Sequence, residues 1–409
     1  MGAPLSTWKL HKNLRRTLWP VPTLAALLGA LAGAGLPVLE ASRPHLFPVV
    51  PWLQELFGEP EGPRMLLSTS AGALATVLGV VSTLTVVVLQ LAASQYSARI
   101  LPRFMRSRMT RAVLAGYLAT IVYLLFVLTS VPPPRQHADP IWSTVLGLLM
   151  TVACFVLLVV YIHHLAWSIQ VSTIVARIAR SAIDVHARTS RAQQHAPAEA
   201  DAVPPAPQCT RVTAASPGFL EHFDAERLLE VLPATVQRAR VEARLGDFML
   251  PDAPLVSLWP PVELSDEELH NVRSAFSVGR ERTDRGDVLY LVRQLVDIAL
   301  RALSPGINEV TTAVMVVNEL GTVAHAVASS GVLGDDSFTG LRRADGKLLL
   351  IPRFGLDTFL GHAFGELPDA ARGHPRVHSR ILEVLGHLAA HALEIVRMDQ
   401  VGEAKVGRR

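Results

Sequence analysis

Hydroxyl, amide and glycine residues recur at regular intervals along one apolar segment of the chain. Thr69, Thr76, Thr83, Gln90 and Ser97 lie seven residues apart. Gly72 and Gly79 fall between them, and Val86 and Val87 close the gap before Gln90. Because an α-helix repeats every 3.6 residues, these positions share one face of a helix. We call this face the polar stripe; its members are Thr69, Gly72, Thr76, Gly79, Thr83, Val86, Val87, Gln90 and Ser97.

The polar stripe suits two kinds of chemistry. Small and hydroxylated residues let membrane helices approach closely and hydrogen-bond across their interface. Hydroxyl groups also replace the hydration shell of a solute in a water-filled path, where Val86 and Val87 would form an apolar constriction. Both interpretations hold together if several copies of the helix surround a symmetry axis.

Five arginines follow the polar stripe, namely Arg99, Arg103, Arg106, Arg108 and Arg111. Arginines beside a membrane segment contact lipid phosphates and hold the loop on the cytoplasmic side. The alternative is that they raise the concentration of anions at the mouth of a pore. The apolar segments contain no Asp or Glu, so a cation filter has no source of carboxylates.

Patterns typical of enzymes or metal sites are not found in the sequence. Two histidine pairs, His374 with His378 and His387 with His391, have a spacing that can hold zinc, but no third ligand is evident. The two cysteines form no CxxC motif. We therefore expect no catalytic residue, no cofactor and no metal.

The composition places the polar stripe in a membrane protein. Half of the 409 residues are hydrophobic and only 18% are charged, below the usual quarter. Four uncharged stretches are long enough to cross a bilayer, which takes about 20 residues. We expect four transmembrane helices, at about residues 19–39, 65–93, 112–132 and 140–162. The first stretch is too long for the apolar part of a cleaved signal, so it is expected to remain.

Basic residues orient these helices. Residues 1–169 carry 12 Lys and Arg against 5 Asp and Glu, and most of the basic residues flank alternate ends of the apolar stretches. This asymmetry predicts a bacterial inner-membrane protein with both termini in the cytoplasm. The rest of the chain is acidic overall, with 26 basic and 30 acidic residues. The basic isoelectric point of 9.1 therefore reflects membrane topology and does not indicate a nucleic-acid partner.

The remaining sequence predicts a soluble domain. We divide the chain into a basic tail (1–18), a four-helix membrane domain (19–168), a helical extension (169–190), an Ala/Pro-rich linker (191–218) and a cytosolic α+β domain (219–409). The last domain is expected to be mainly helical with a small β element. Its expected helices include Phe223–Arg244 and one that opens with a capping box at Ser265–Glu268.

Two stretches carry a resemblance to a known family. The motifs are SQYSARILPRFMRSR within residues 79–128 and RQLVDIALRALSPGINE within 279–313, with GDFMLPDAPL between the two stretches. In these motifs the chain resembles a widespread bacterial family of predicted membrane proteins, filed as a domain of unknown function (DUF2254 type). The resemblance covers roughly residues 20–400. It implies a multi-pass inner-membrane protein and no established activity.

The second motif also has a physical interpretation. Arg293, Asp297 and Arg301 form an ion-pair row at intervals of four residues. Pro305 and Gly306 end that helix, and Asn308 is expected to cap the next one. A rigid helical hairpin is one interpretation of this segment. A surface that binds a ligand or partner for gating is the other.

These observations lead to two functional hypotheses. The first is an α-helical, homo-oligomeric channel or passive pathway for a small ion or anion, lined by the second transmembrane helix and regulated by the cytosolic domain. The second is a non-conducting signalling or scaffolding protein, in which the polar stripe only packs and the cytosolic domain binds a partner. In both, the chain contacts the lipid bilayer.

Overall fold

The computed structural model describes residues 19–47, 61–95, 107–130, 141–168, 170–193, 209–284, 286–330 and 337–406. Several segments and residues discussed above lie outside these ranges, namely the basic tail 1–18, Ser97, Arg99, Arg103, Arg106 and residues 194–208 of the expected linker. Two compact units follow one another along the chain. One ends at Gln170 and the other begins at Val171.

The first unit is a bundle of four long helices. They are α1 (Pro20–Ser42), α2 (Glu61–Gln95), α3 (Arg108–Ser130) and α4 (Ile141–Ser168). A helix of 23 residues is roughly 35 Å long, which matches the hydrocarbon core of a bilayer. Helix α3 lies at the centre of the bundle and packs against α1, α2 and α4.

Five helices in the described residues are long and apolar enough to cross a membrane, one more than expected. Four of them are α1 to α4. In each of these helices, between 17% and 33% of the most apolar 18-residue segment is buried inside the protein. The fifth is α9 (Val310–Ala328) in the second unit. Half (50%) of its most apolar segment is buried. A helix in the core of a domain can be as apolar as a membrane span, so length and composition do not separate the two.

The second unit mixes helices and strands. It begins with α5 (Val171–Gln193), β1 (Thr210–Thr213), β2 (Gly218–Phe223), α6 (Ala225–Val231), β3 (Arg238–Val241), β4 (Phe248–Met249), β5 (Pro254–Trp259), α7 (Asp266–Ser274) and β6 (Phe276–Gly279). It continues with α8 (Val288–Ala302), α9, β7 (Ser337–Arg342), β8 (Leu348–Arg353), α10 (Leu356–Phe364), α11 (Leu367–Ala370) and α12 (Pro375–Val406). The β content exceeds the small element that we expected.

The strands form two sheets. One has five strands in the order β1-β5-β3-β8-β7, and the other has three in the order β4-β2-β6. All neighbours are antiparallel except β3 and β8. In β3, Ala239 and Val241 are buried in the core shared with α6 and α7, whereas Arg238 and Arg240 alternate with them. Helix α9 packs against α5, α8, α10 and α12.

Local structure differs from the sequence-based expectation in two places. The helix expected over Phe223–Arg244 is short: α6 ends at Val231 and β3 follows. Pro233 and the strict alternation from Arg238 to Val241 favour a turn and a strand there. The expected linker 191–218 contains β1, so the fold of the second unit includes residues before 219. The capping box is confirmed, because Ser265 and Glu268 each accept a hydrogen bond from the backbone N–H of the other.

Candidate functional site

Helix α2 buries one face inside the first unit. Leu67, Leu74 and Val81 are fully buried at intervals of seven residues, and they belong to a core that includes residues of α3 and α4. Because these three residues lie on the side of α2 opposite Gly72 and Gly79, the polar stripe faces away from the core of the first unit.

The polar stripe lies on the exposed face of α2. All eight of its described members are exposed in the single chain, namely Thr69, Gly72, Thr76, Gly79, Thr83, Val86, Val87 and Gln90. A Cβ atom built on Gly72 or Gly79 meets no other atom within 4 Å. Neither glycine is therefore needed for close helix packing inside one subunit.

Two threonine hydroxyls of the stripe donate hydrogen bonds to their own helix. Thr76 Oγ1 donates to the carbonyl oxygen of Gly72 at 3.0 Å, and Thr83 Oγ1 donates to that of Gly79 at 3.0 Å. Each hydroxyl thus has a partner for its proton and keeps acceptor capacity for a further donor. This arrangement lowers the cost of placing a hydroxyl in an apolar environment.

Tyrosine hydroxyls fix the bundle that carries α2. Thr85 Oγ1 donates to Val81 O at 2.7 Å, which leaves the Tyr161 hydroxyl to donate to Thr85 Oγ1 at 2.6 Å. In α3, the hydroxyls of Tyr117 and Tyr123 donate to carbonyl oxygens of Cys154 and Ser143 in α4 at 2.8 and 2.9 Å. Buried phenols with partners of this kind hold the helices in register.

Glycines of α1, and not those of α2, allow close packing among the described helices of the first unit. Gly29 and Gly33 lie four residues apart and are buried against α3. A Cβ atom on Gly33 would lie 2.7 Å from Tyr123 O and 2.9 Å from Phe126 Cβ. The sequence contains the small-xxx-small signal for this contact, but our sequence reasoning did not use it.

A carboxylate just beyond the first expected span caps the start of α4. Glu40, near the end of α1, accepts from the backbone N–H groups of Trp142 and Ser143 at 2.9 and 3.2 Å, and from Ser143 Oγ at 2.9 Å. These groups belong to the first turn of α4, whose free N–H groups and positive dipole end favour an anion. Glu40 therefore ties the end of α1 to the start of α4.

Of the five arginines proposed for a pore mouth, only two are in the described part of the chain. Arg108 and Arg111 lie in the first turn of α3, where Arg108 is exposed and Arg111 is half-buried. The lipid-contact and anion-concentrating interpretations of the five residues both stay predictions.

The hairpin motif covers the second half of α8 and the turn that leads to α9. Arg293 Nε pairs with Asp297 Oδ1 at 2.8 Å, and its guanidinium also pairs with Glu366, the N-cap residue of α11, whereas Arg301 is exposed. Pro305, Gly306 and Asn308 are exposed in the turn. Asn308 does not cap α9 as expected: it adopts a left-handed conformation with φ of 49°, and Glu309 occupies the N-cap position. Asparagine tolerates this conformation better than most residues.

A second polar cluster stands at the start of α8, and sequence reasoning missed it. Asp287 is 4% exposed, caps α8 by accepting from Tyr290 N at 2.8 Å, and pairs with Arg282, whose Nε donates to it at 2.9 Å. Burial raises the pKa of Asp287 to about 6, although the charge of Arg282 opposes this shift. Gly246, at φ of 90°, lies so close that any Cβ would collide with Asp287 and Arg282. The signal in the sequence was an Asp directly before an apolar helix.

Comparison with known proteins gives a family. Residues 15–387 match the model of a protein family that is described as predicted membrane protein (DUF2254). The chain belongs to this family. Among curated relatives are the uncharacterized protein Mb1321c of Mycobacterium bovis and the uncharacterized protein Rv1290c of Mycobacterium tuberculosis. Each is 28% identical over 390 residues, which cover 93% of this chain and 73% of the relative.

No solved structure matches the chain. The resemblance seen in the motifs is thus confirmed at the level of the family, which describes a membrane protein of unknown function. Among the described residues, no group of three or more His, Cys, Asp or Glu is placed to hold a metal ion.

Proposed function

We propose that this family member is a homo-oligomeric channel or passive transport pathway, with the polar stripe of α2 lining the path. The exposure of the stripe in a single subunit carries the proposal. In the middle of α4 the exposed side chains are apolar, as at Leu149, Val152 and Val159, which suits contact with lipid tails. The stripe of α2 is less suited to lipid, and copies of α2 around a symmetry axis would cover it.

The chemistry of the stripe suggests a passive path for a small ion. Thr76 and Thr83 offer oxygen acceptors one above the other, and Val86 and Val87, 54% and 42% exposed, would narrow the path by an apolar ring. The arginines that follow the stripe favour an anion by their charge. No carboxylate lies in the apolar segments, so proton-coupled pumping has no obvious relay.

The surrounding assignments belong to the same proposal. Four helices, α1 to α4, cross the bacterial inner membrane, both termini are cytoplasmic, and the second unit is a cytosolic domain that regulates or assembles the membrane part. Helix α9 is then a core helix of that domain, in keeping with the burial of Val316, Val317 and Leu320. The proposal assigns no enzymatic activity.

One observation favours the alternative of a non-conducting signalling or scaffolding protein. Because the hydroxyls of Thr76 and Thr83 already donate within α2, the stripe can pack against another helix without further hydrogen bonds. In that case the oligomer is closed along its axis, and the second unit acts by binding a partner.

Substitution of Thr76 by Trp distinguishes a conducting pore from a stripe that only packs. The protein is reconstituted in liposomes with potassium and chloride gradients, and the subunit number of each variant is measured by native mass spectrometry. A pore predicts that Thr76→Trp abolishes flux and leaves the subunit number unchanged, because the indole fills the path. A packing stripe predicts that Thr76→Trp lowers the subunit number.

The matched control is Val159→Trp on α4, where the side chain is 68% exposed and apolar. It adds the same bulk to a surface assigned to lipid, so flux and subunit number should both match the unmodified protein. Flux through the Thr76→Trp variant equal to that of the unmodified protein, with an unchanged subunit number, would contradict the assignment of α2 to the path.

A further inference from the structure

The last helix of the second unit, α12, has two apolar faces. One face packs against α9, where a Cβ built on Gly321 would lie 2.7 Å from Val384 Cγ1. This face consists of four buried residues, namely Val377, Ile381, Val384 and Leu388. The other face is exposed. We call it the α12 seam, and its members are Leu382, Gly386, Ala389, Leu393 and Val396.

The α12 seam gathers much of the exposed apolar surface of the second unit. Leu382, Leu393 and Val396 are 58%, 61% and 41% exposed. Among the described residues of this unit, the other exposed large apolar side chains are those of Phe248, Leu250 and Ile307. A Cβ built on Gly386 meets no atom within 4 Å, so the middle of the seam is open. A contiguous apolar row of this kind is typical of a surface that binds another protein.

The spacing of the seam is that of a coiled coil. Its members are separated by 4, 3, 4 and 3 residues, the repeat with which two helices pack along their length. From Leu382 to Val396 the seam is about 21 Å long, at 1.5 Å per residue.

The order of side-chain sizes along the seam favours an antiparallel partner of the same sequence. Two small residues, Gly386 and Ala389, come before two large ones, Leu393 and Val396. In a parallel pair each residue faces its own copy, so glycine faces glycine and leucine faces leucine. In an antiparallel pair Gly386 faces Val396 and Ala389 faces Leu393. Small then packs against large at every level, which keeps the two helices evenly spaced.

The charges beside the seam match the same arrangement. Glu383 and Arg397 lie 14 residues apart on one edge of the seam, and both are exposed. Glu383 pairs within its own helix with Arg380, which is also on the surface. In the antiparallel register each Glu383 lies within one helical turn of Arg397 in the other copy, so the pair forms twice around a two-fold axis. In a parallel pair the two residues stay about 21 Å apart and cannot meet.

We propose that α12 binds α12 of a second copy of this chain as a short antiparallel coiled coil. Ala389 of one copy packs against Leu393 of the other, and Glu383 pairs with Arg397. The seam contains both halves of its own complement, as an interface between identical chains requires. The contact lies in the second unit and does not depend on a pore in the first.

Disulfide formation in isolated membranes tests the register. Two full-length variants with different affinity tags, one with Ala389→Cys and the other with Leu393→Cys, are produced together in a background of Cys154→Ala and Cys209→Ala. Mild oxidation should join the two differently tagged chains, because facing residues come within disulfide distance. Each variant produced alone should give about tenfold less dimer, because identical residues are then offset by about 6 Å along the axis.

The matched control uses His387→Cys and Glu394→Cys in the same background. These two positions are also exposed on α12, but they point away from the seam. Produced together, they should give about tenfold less dimer than the seam pair. Equal yields from the seam and control pairs would overturn the proposal, and so would efficient dimers from either seam variant produced alone.

Reversal of the charges tests the same pairing by another route. Within the seam cysteine pair, Glu383→Arg or Arg397→Glu in both chains places like charges together twice and should lower the disulfide yield about fivefold. The combination of both reversals recreates opposite charges and should restore the yield. Glu394→Lys, outside the seam, should leave it unchanged. A combined variant with a yield below that of each single reversal would contradict the antiparallel pairing.

Discussion

The buried carboxyl group of Asp287 gives the second unit a pH dependence. Its pKa of about 6 in the folded protein exceeds the ordinary value of 3.8, so between these values the folded protein binds more protons than the unfolded chain. Raising the pH across this window therefore lowers the free energy of unfolding, by at most about 3 kcal/mol. Above pH 6 the contribution of Asp287 is constant.

Asp287→Asn tests this reasoning. Asparagine keeps an oxygen for Tyr290 N but does not titrate, so the variant should lack the decline in stability between pH 4 and 6. The measurement is the thermal midpoint of both proteins in a series of buffers. Because other groups titrate equally in both, only the difference between the two curves counts. A difference that stays constant from pH 4 to 7 would show that Asp287 is already ionised throughout.

The position of a single residue could be predicted from the sequence where residues of one type recur at a regular helical spacing. The polar stripe is regular enough that its common face followed from spacing alone, and the structure describes eight of its residues on that face. The position of Asp287 before an apolar helix marks it as an N-cap, but its burial with Arg282 was not foreseeable, because that needs Gly246, which is distant in the sequence and approaches only after folding. A buried ion pair of this kind does not produce a regular spacing of residues in the sequence.

The contact between α1 and α3 depends on small residues. Gly33→Ala places a methyl group 2.7 Å from Tyr123 O, so the helices must separate. Overpacking of this kind costs about 1–3 kcal/mol. We expect the variant to unfold at lower temperature in detergent, measured by tryptophan fluorescence.

Gly35 provides the matched control in the same helix. A Cβ at Gly35 meets no atom within 4 Å, so Gly35→Ala should be neutral or slightly stabilising through helix propensity. Equal midpoints for the two alanine variants would mean that α1 and α3 are not packed through Gly33.

The elements of the second unit show where sequence patterns stop being sufficient. Helices with marked ends were expected within a residue or two of where they lie, as for α8, which ends just before Ser304-Pro305-Gly306. Strand β3 was missed, because its partners β5 and β8 are remote in sequence and its four residues carry little signal of their own. Long-range pairing decided the structure there.

The number of spans fixes the relation between the two ends of the chain. With α1 to α4 as the spans, the N- and C-termini lie on the same side of the membrane. If α9 also crossed, they would lie on opposite sides. We expect alkaline phosphatase fused after Arg409 to be inactive in cells and green fluorescent protein fused there to be fluorescent. A fusion of each reporter to the N-terminus should give the same result.

A fusion of alkaline phosphatase after Gln136, between α3 and α4, serves as the control that should be active. Activity of the enzyme after Arg409, together with a fluorescent N-terminal fusion, would establish an odd number of spans. In that case α9 would be the fifth, and the burial of its apolar residues would need another explanation.

The parallel pairing of β3 with β8 sets the order in which the protein can be made. Arg238 pairs with Leu348, about 110 residues later, so the five-stranded sheet stays open while that stretch is translated, for roughly 5–20 s. By then α1 to α4 have all left the ribosome. The four-helix unit can therefore form before the second unit has a closed core. Until Leu348 emerges, β3 offers a free strand edge to any neighbouring chain.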